Sequence, residues 1–148
     1  MKELIDTYTV RAPAEKIAQI HFSPNALKQL TPPGIRIEIL SQDPISENSV
    51  THFKLWFGPL PIEWEAQHQQ VSFQEGFLDI QRKGPFRHWK HYHQWKSLSV
   101  NETQMTERIE FEHTNNLQGL FTRLLFNPIA MKFFFWYRRK KITRLALS

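Results

Sequence analysis

The sequence predicts an α+β domain. It should be a curved antiparallel sheet of about seven strands wrapped around one long C-terminal helix, with two short helices after the first strand and an internal apolar cavity. Three observations carry this. Six segments between residues 35 and 112 favour strand, several of them alternating apolar and polar residues, and turn residues separate them. Nothing breaks a helix from Ile129 to the C-terminus. Aromatic residues make up 14% of the chain, with 12 Phe and 5 Trp, enough to fill a large core or line a large pocket. At 148 residues one domain is expected, spanning 1–148. Two cores would leave each half too small to sustain itself.

The elements follow in order. Residues 3–11 read as a strand that Ala12-Pro13 breaks. Pro13 suits the first turn of a short helix over 13–21, and Ser23-Pro24 opens a second that ends at Thr31-Pro32-Pro33-Gly34. Ile35, Ile37 and Ile39 mark a strand, and residues 41–48 are a polar turn. Strands follow over 50–57, 62–71 and 77–83, then 86–98 and 104–113. A short helical stretch lies between Gly119 and Pro128, and the long helix closes the chain. An antiparallel sheet with one apolar face needs a cover, and a single long helix over bulky side chains need not close the space beneath it.

Composition excludes several classes. There is no cysteine, hence no disulfide, thiolate nucleophile or Cys-based metal site. The N-terminus carries Glu3 and Asp6 and does not read as a secretory signal, and no apolar run reaches membrane-span length, so a cytoplasmic location is expected. The formal charge is +5, but unevenly spread: all 14 acids lie at or before Glu112, and seven Lys and Arg follow it. Cations trailing an aromatic run suit a membrane surface or a partner better than nucleic acid, whose readers spread cations over a face; no nucleic-acid partner is expected. A solvated helix end complementing the helix dipole is the plainer reading. Gly-rich phosphate loops, nucleophile elbows and HExxH pairs are missing, so no cofactor is expected.

The segments GPFRHWKHYHQW (84–95), TQMTERIEF (103–111) and FFWYRR (134–139) resemble the START/SRPBCC superfamily, most closely its bacterial polyketide cyclase/dehydrase-like and ligand-binding members. The resemblance spans the chain. It implies a helix-grip fold and an apolar ligand such as a lipid, quinone, isoprenoid or polyketide-like molecule. It does not imply a reaction, because members include carriers and cyclases alike.

The candidate site lies on two neighbouring strands. Trp89, His91, His93 and Trp95 share one face by period two, and Met105, Glu107, Ile109 and Phe111 share the inward face of the next strand, with His113 after them. A buried carboxylate needs a partner, so Glu107 should meet His93 or His91. The pair would orient a ligand carbonyl or hydroxyl, act as an acid/base pair in a cyclase-type enzyme, or simply satisfy the sheet interior. No residue is assigned a catalytic role. His91, His93 and Glu107 would make a two-His, one-carboxylate set, but aromatic neighbours and the lack of a fourth ligand argue against a metal. Trp64 shares a strand face with Ile62, Ala66 and His68, and His68 is expected at the cavity mouth. His21, His52 and His88 are expected at the surface or rim.

Asp79 is a second candidate. Period two leaves open whether Phe77, Asp79 and Gln81 or Leu78 and Ile80 face the cavity; the resemblance favours the first set. On the long helix Met131, Phe134, Phe135, Arg138, Ile142 and Leu145 fall on one side, taken as the side facing the sheet. Arg138 should snorkel or meet Glu107 or Asp79. Phe133 and Trp136 fall on the opposite side among cations. They suit transient contact with an anionic membrane surface or with a second copy of the chain.

Overall fold

The computed structural model describes all residues, Met1–Ser148. The elements run β1 (Lys2–Val10), α1 (Ala14–Phe22), α2 (Ala26–Leu30), β2 (Ile35–Gln42), β3 (Val50–Phe57), β4 (Leu60–Ser72), β5 (Gly76–Lys83), β6 (His88–Ser99), β7 (Glu102–Glu112), α3 (Leu117–Leu125) and α4 (Pro128–Leu147). The strands form one antiparallel sheet in the order β1-β7-β6-β5-β4-β3-β2. Strands β2 to β7 are a plain meander, and β1 pairs with the last of them over Lys2–Val10. β1 and β2 are therefore the two edges, so α1 and α2 must cross the sheet from edge to edge.

Register shifts bend the sheet. One separates Ile39 from Ser41 in β2, and two interrupt β4, after Glu65 and after Gln69. An extra residue in one strand kinks it and increases the local twist. Gln70, at φ 53°, takes up the second irregularity.

Two apolar cores form inside the curve. One joins Val10, Ile17, Ala18, Trp95, Met105 and Ile142, packing α1 and the end of α4 onto β1, β6 and β7. The other joins Phe53, Trp64, Phe86, Ile109, Phe111 and Phe135. α4 serves both. Its buried residues Met131, Phe135, Arg138 and Ile142 lie on the side the sequence predicts, joined by Ala146, while Phe134 and Leu145 are half-buried; Arg138 falls between the two cores. The short helical stretch begins at Leu117, three residues before LFTRLLFN, because the Asn116 side chain caps it by accepting from the Gly119 N–H. No helix is long and apolar enough to cross a membrane.

Candidate functional site

Period two runs through a layer of polar residues between the two cores. On β6 the inward order is Trp89, His91, His93, Trp95; on β7 it is Met105, Glu107, Ile109, Phe111. His93 pairs in register with Glu107, and Phe77 of β5 pairs with His93. Across the neighbouring strands His68 pairs with Asp79. The polar side chains thus converge from β4, β5, β6 and β7 on one patch of the concave face, and Arg138 of α4 completes it.

The contacts form a continuous chain. Arg138 donates to Glu107 Oε1 from Nε at 2.7 Å, and its Nη2 lies 2.6 Å from the same oxygen. Glu107 Oε1 also lies 3.3 Å from His91 Nε2 and 3.5 Å from His93 Nδ1. His93 Nε2 meets Asp79 Oδ2 at 2.8 Å, and the other Asp79 oxygen meets His68 Nδ1 at 2.5 Å. An ionised carboxylate can only accept, so both imidazoles donate to Asp79. His68 Nε2 ends the chain at the Thr51 hydroxyl, 3.1 Å away.

Burial and pairing set the charges. Burial alone would raise Glu107, but the Arg138 charge and the histidine hydrogen bonds hold it well below the usual carboxylate range. Burial would likewise raise Asp79, yet His93 and the bond from His68 hold it low. Burial opposes charge on His93, and Asp79 together with Glu107 outweighs it, so His93 is raised. His91 and His21 lack a carboxylate strong enough to offset burial and the repulsion of His93; His91 falls to about 4 and His21 to about 3. With Arg138 and His93 charged against Glu107 and Asp79, the cluster balances internally.

Beside this cluster lies a cavity of about 430 Å³. Its polar end is formed by His68, Asp79, His91, His93, His21 and Arg138; its apolar walls include Phe53, Trp64, Trp89, Phe126 and Met131. The division follows from the strands. β4 carries Trp64, Ala66 and His68 in succession on the inward face, so aromatic and imidazole halves lie side by side.

Eight of the sequence-predicted residues line the cavity: Trp64, Phe77, Asp79, Trp89, His91, His93, Met131 and Arg138. Six do not. Trp95 and Met105 are sealed in the first core beneath α1, and Ile109, Phe111 and Phe135 are packed in the second. Glu107 is fully buried behind the cavity wall, screened by Arg138 and the histidines. The expectation that Glu107 would find His91 or His93 holds only in part, since its nearest partner is Arg138. Glu107 itself does not border the cavity, but His91 and His93, both within 3.5 Å of its Oε1, do.

Asp79 and Phe77 face the cavity, and Leu78 is buried on the other face. His21 is not at the rim: α1 lies on the sheet, and its last turn carries His21 inward, where Nδ1 donates to the Ile17 carbonyl at 2.8 Å. His68 lies deeper than the mouth, buried between Thr51 and Asp79. His52 and His88 are half-buried beside Glu63 and Glu110. Sequence reading missed Thr51 and Phe126 as lining residues, and it missed the Asp79 bridge; pairing His68 with Asp79 needs the β4–β5 register, which the bulges shift.

The nitrogen and oxygen atoms of Asp79, His91 and His93 lie close enough together to suggest a metal, as do those of His21, His93 and Glu107. Neither set suits one. Both oxygens of Asp79 already accept from imidazoles, and the Arg138 guanidinium, 3.3 Å from His93 Nδ1, would repel a cation.

No protein-family profile matches the chain, and neither does any curated protein sequence. Solved structures do. A protein from Chromobacterium violaceum superposes with a TM-score of 0.78 at 12% identity, over 100% of this chain and 99% of that one. The Zhui aromatase/cyclase of a Streptomyces species gives 0.75 at 14% identity, over 99% and 93%. Norcoclaurine synthase from Thalictrum flavum, in complex with dopamine and hydroxybenzaldehyde, gives 0.68 at 15% identity, over 99% and 86%. The chain shares the helix-grip fold of these proteins. The likeness is one of fold, as the resemblance in sequence implied.

Proposed function

We propose that this helix-grip protein binds an apolar small molecule bearing one polar group, held in the cavity with its polar end against the histidine wall. The observation that carries the reading is the asymmetry of the lining: aromatic at one end and hydrogen-bonding at the other. A volume of about 430 Å³ lies within the range of small-molecule sites. His91 is the natural anchor. Its Nδ1 forms no hydrogen bond within the chain, whereas both nitrogens of His93 are engaged by Asp79 and by the Glu107–Arg138 pair. With Nε2 turned to the ionised Glu107, the one N–H of a neutral His91 lies there, and Nδ1 accepts from a ligand hydroxyl. The same nitrogen favours a second reading, a cyclase-type enzyme drawing a proton at His91. In that reading Glu107, 3.3 Å behind the imidazole at Nε2, orients it, and Asp79 and His93 steady the wall.

Organic extraction and native mass spectrometry of the purified protein would reveal a carried molecule. Quenching of Trp64 and Trp89 fluorescence by a naphthol and by naphthalene then measures binding directly. Ala66→Phe, which fills the cavity, should weaken both probes about tenfold or more. His91→Ala should weaken the naphthol alone. An empty protein that binds neither probe ends the binding reading. Turnover of an aromatic polyketide-type substrate, abolished in His91→Ala, would replace carriage with catalysis.

A further inference from the structure

The two last helices present their apolar residues to solvent. α3 is held onto the body by its small and polar side: Gly119 and Thr122 are buried, and the Thr122 hydroxyl meets His113 Nδ1 at 2.7 Å. Gly119 approaches so closely that a Cβ there would sit 1.8 Å from the Thr114 carbonyl. The opposite side carries Leu117, Leu120, Phe121 and Leu124 at helical spacing, all exposed. After a turn at Phe126-Asn127, α4 exposes Ile129, Phe133 and Trp136 as well. These seven side chains are between 43% and 81% exposed, and the Phe133 and Trp136 rings stack at 5.7 Å. A soluble surface seldom gathers so many apolar side chains without a partner.

Charge identifies the partner. The chain holds no acid after Glu112. Of the seven cations there, Arg138 is paired with Glu107 and Arg139 with Asp6. Arg123, Lys132, Lys140, Lys141 and Arg144 have no acidic partner. Lys140 and Arg144 continue the same side of α4 that Ile129, Phe133 and Trp136 begin, at 100° per residue. Apolar side chains rimmed by unpaired cations fit an anionic lipid surface, where rings and aliphatic groups enter the headgroup boundary and cations stay among phosphates. The opposite charge pattern, or a self-complementary one with acids on the same face, would suit a second copy.

We infer that the exposed face of α3 and α4 docks this protein reversibly on an anionic membrane. The cavity reaches the surface at the same place: Phe133 both lines it and lies half-exposed in the docking face. An apolar molecule leaving past Phe133 would enter lipid and not water. Docking does not require a ligand, so its failure and the failure of the binding reading are separate results.

Co-sedimentation of the whole protein with phosphatidylcholine vesicles, with and without phosphatidylglycerol, tests this. Binding should appear with phosphatidylglycerol and fall several-fold as salt is raised. The double variant Leu120→Ser/Leu124→Ser should bind about tenfold less at an unchanged melting temperature, because both residues are exposed. Lys140→Glu/Arg144→Glu should lose the phosphatidylglycerol dependence. Equal recovery with both vesicle types, or undiminished binding by the serine variant, overturns the inference. So does a protein that ignores vesicles but sediments as a dimer dispersed by the serine substitutions.

Discussion

Arg138 and Glu107 decide how the interior tolerates charge. Both guanidinium contacts fall on Glu107 Oε1, and Oε2 has no partner. Removing one member of a buried pair strands the other, at about 3–5 kcal/mol, while an apolar replacement of both is often nearly neutral. Glu107→Gln should therefore cost several kcal/mol in urea denaturation, and Glu107→Leu/Arg138→Met should cost less than the single change. A single variant within about 1 kcal/mol of the parent would mean that the pair does not hold the layer between the cores.

At the scale of elements, β5 depends on Gly76. Its φ is +124°, a conformation side chains rarely adopt, and a Cβ would stand 1.9 Å from the His93 carbonyl. The close approach sets β5 against β6, with Gly76 opposite Gln94 and Phe77 opposite His93. That register brings Asp79 within reach of His93. Gly76→Ala should destabilise by about 2 kcal/mol or more and disturb the bridge. Thermal melting measures the first effect and the imidazole proton shifts of His93 measure the second; a melting temperature equal to the parent's would refute both. The helices depend on caps of a different kind: Asn127 accepts from the Ala130 N–H, and Pro128 occupies the first turn of α4.

The whole molecule carries the titration of these groups as a stability profile. His93 is raised above 6.5, so its contribution is complete below 6.5 and is lost as pH rises through its folded value. His91 and His21 stay neutral when folded, to about 4 and about 3, while the unfolded chain takes up their protons from 6.5 downward. Stability must fall along that limb as well. Asp79 and Glu107 add a further loss at lower pH, because their contribution is present above the unfolded carboxylate values and disappears as pH falls through the folded ones. The urea midpoint at constant ionic strength should therefore peak near pH 6.5. His91→Gln should flatten the acid limb and leave the alkaline one. A midpoint that is level from pH 5 to 8 would contradict this account.

Period two and helical spacing are local properties, and they determined most of the architecture: the meander, the two short helices, the closing helix, and the inward set from Trp89 to Trp95 and from Met105 to Phe111. A strand's inward residues follow from chain geometry once one face is known. That rule falls silent on β5, where both faces are covered; Leu78 is buried opposite Asp79, beside Tyr92, whose ring Arg108 covers at 3.9 Å. Which inward residues border open space and which are sealed is a long-range matter. α1 closes over Trp95 and Met105 and carries His21 inward, while the space beside His91 and Trp64 stays open. Only the tertiary structure decided this, because a cavity is defined by side chains from elements distant in sequence, and so is the partner of a buried charge: Arg138 lies 31 residues from Glu107.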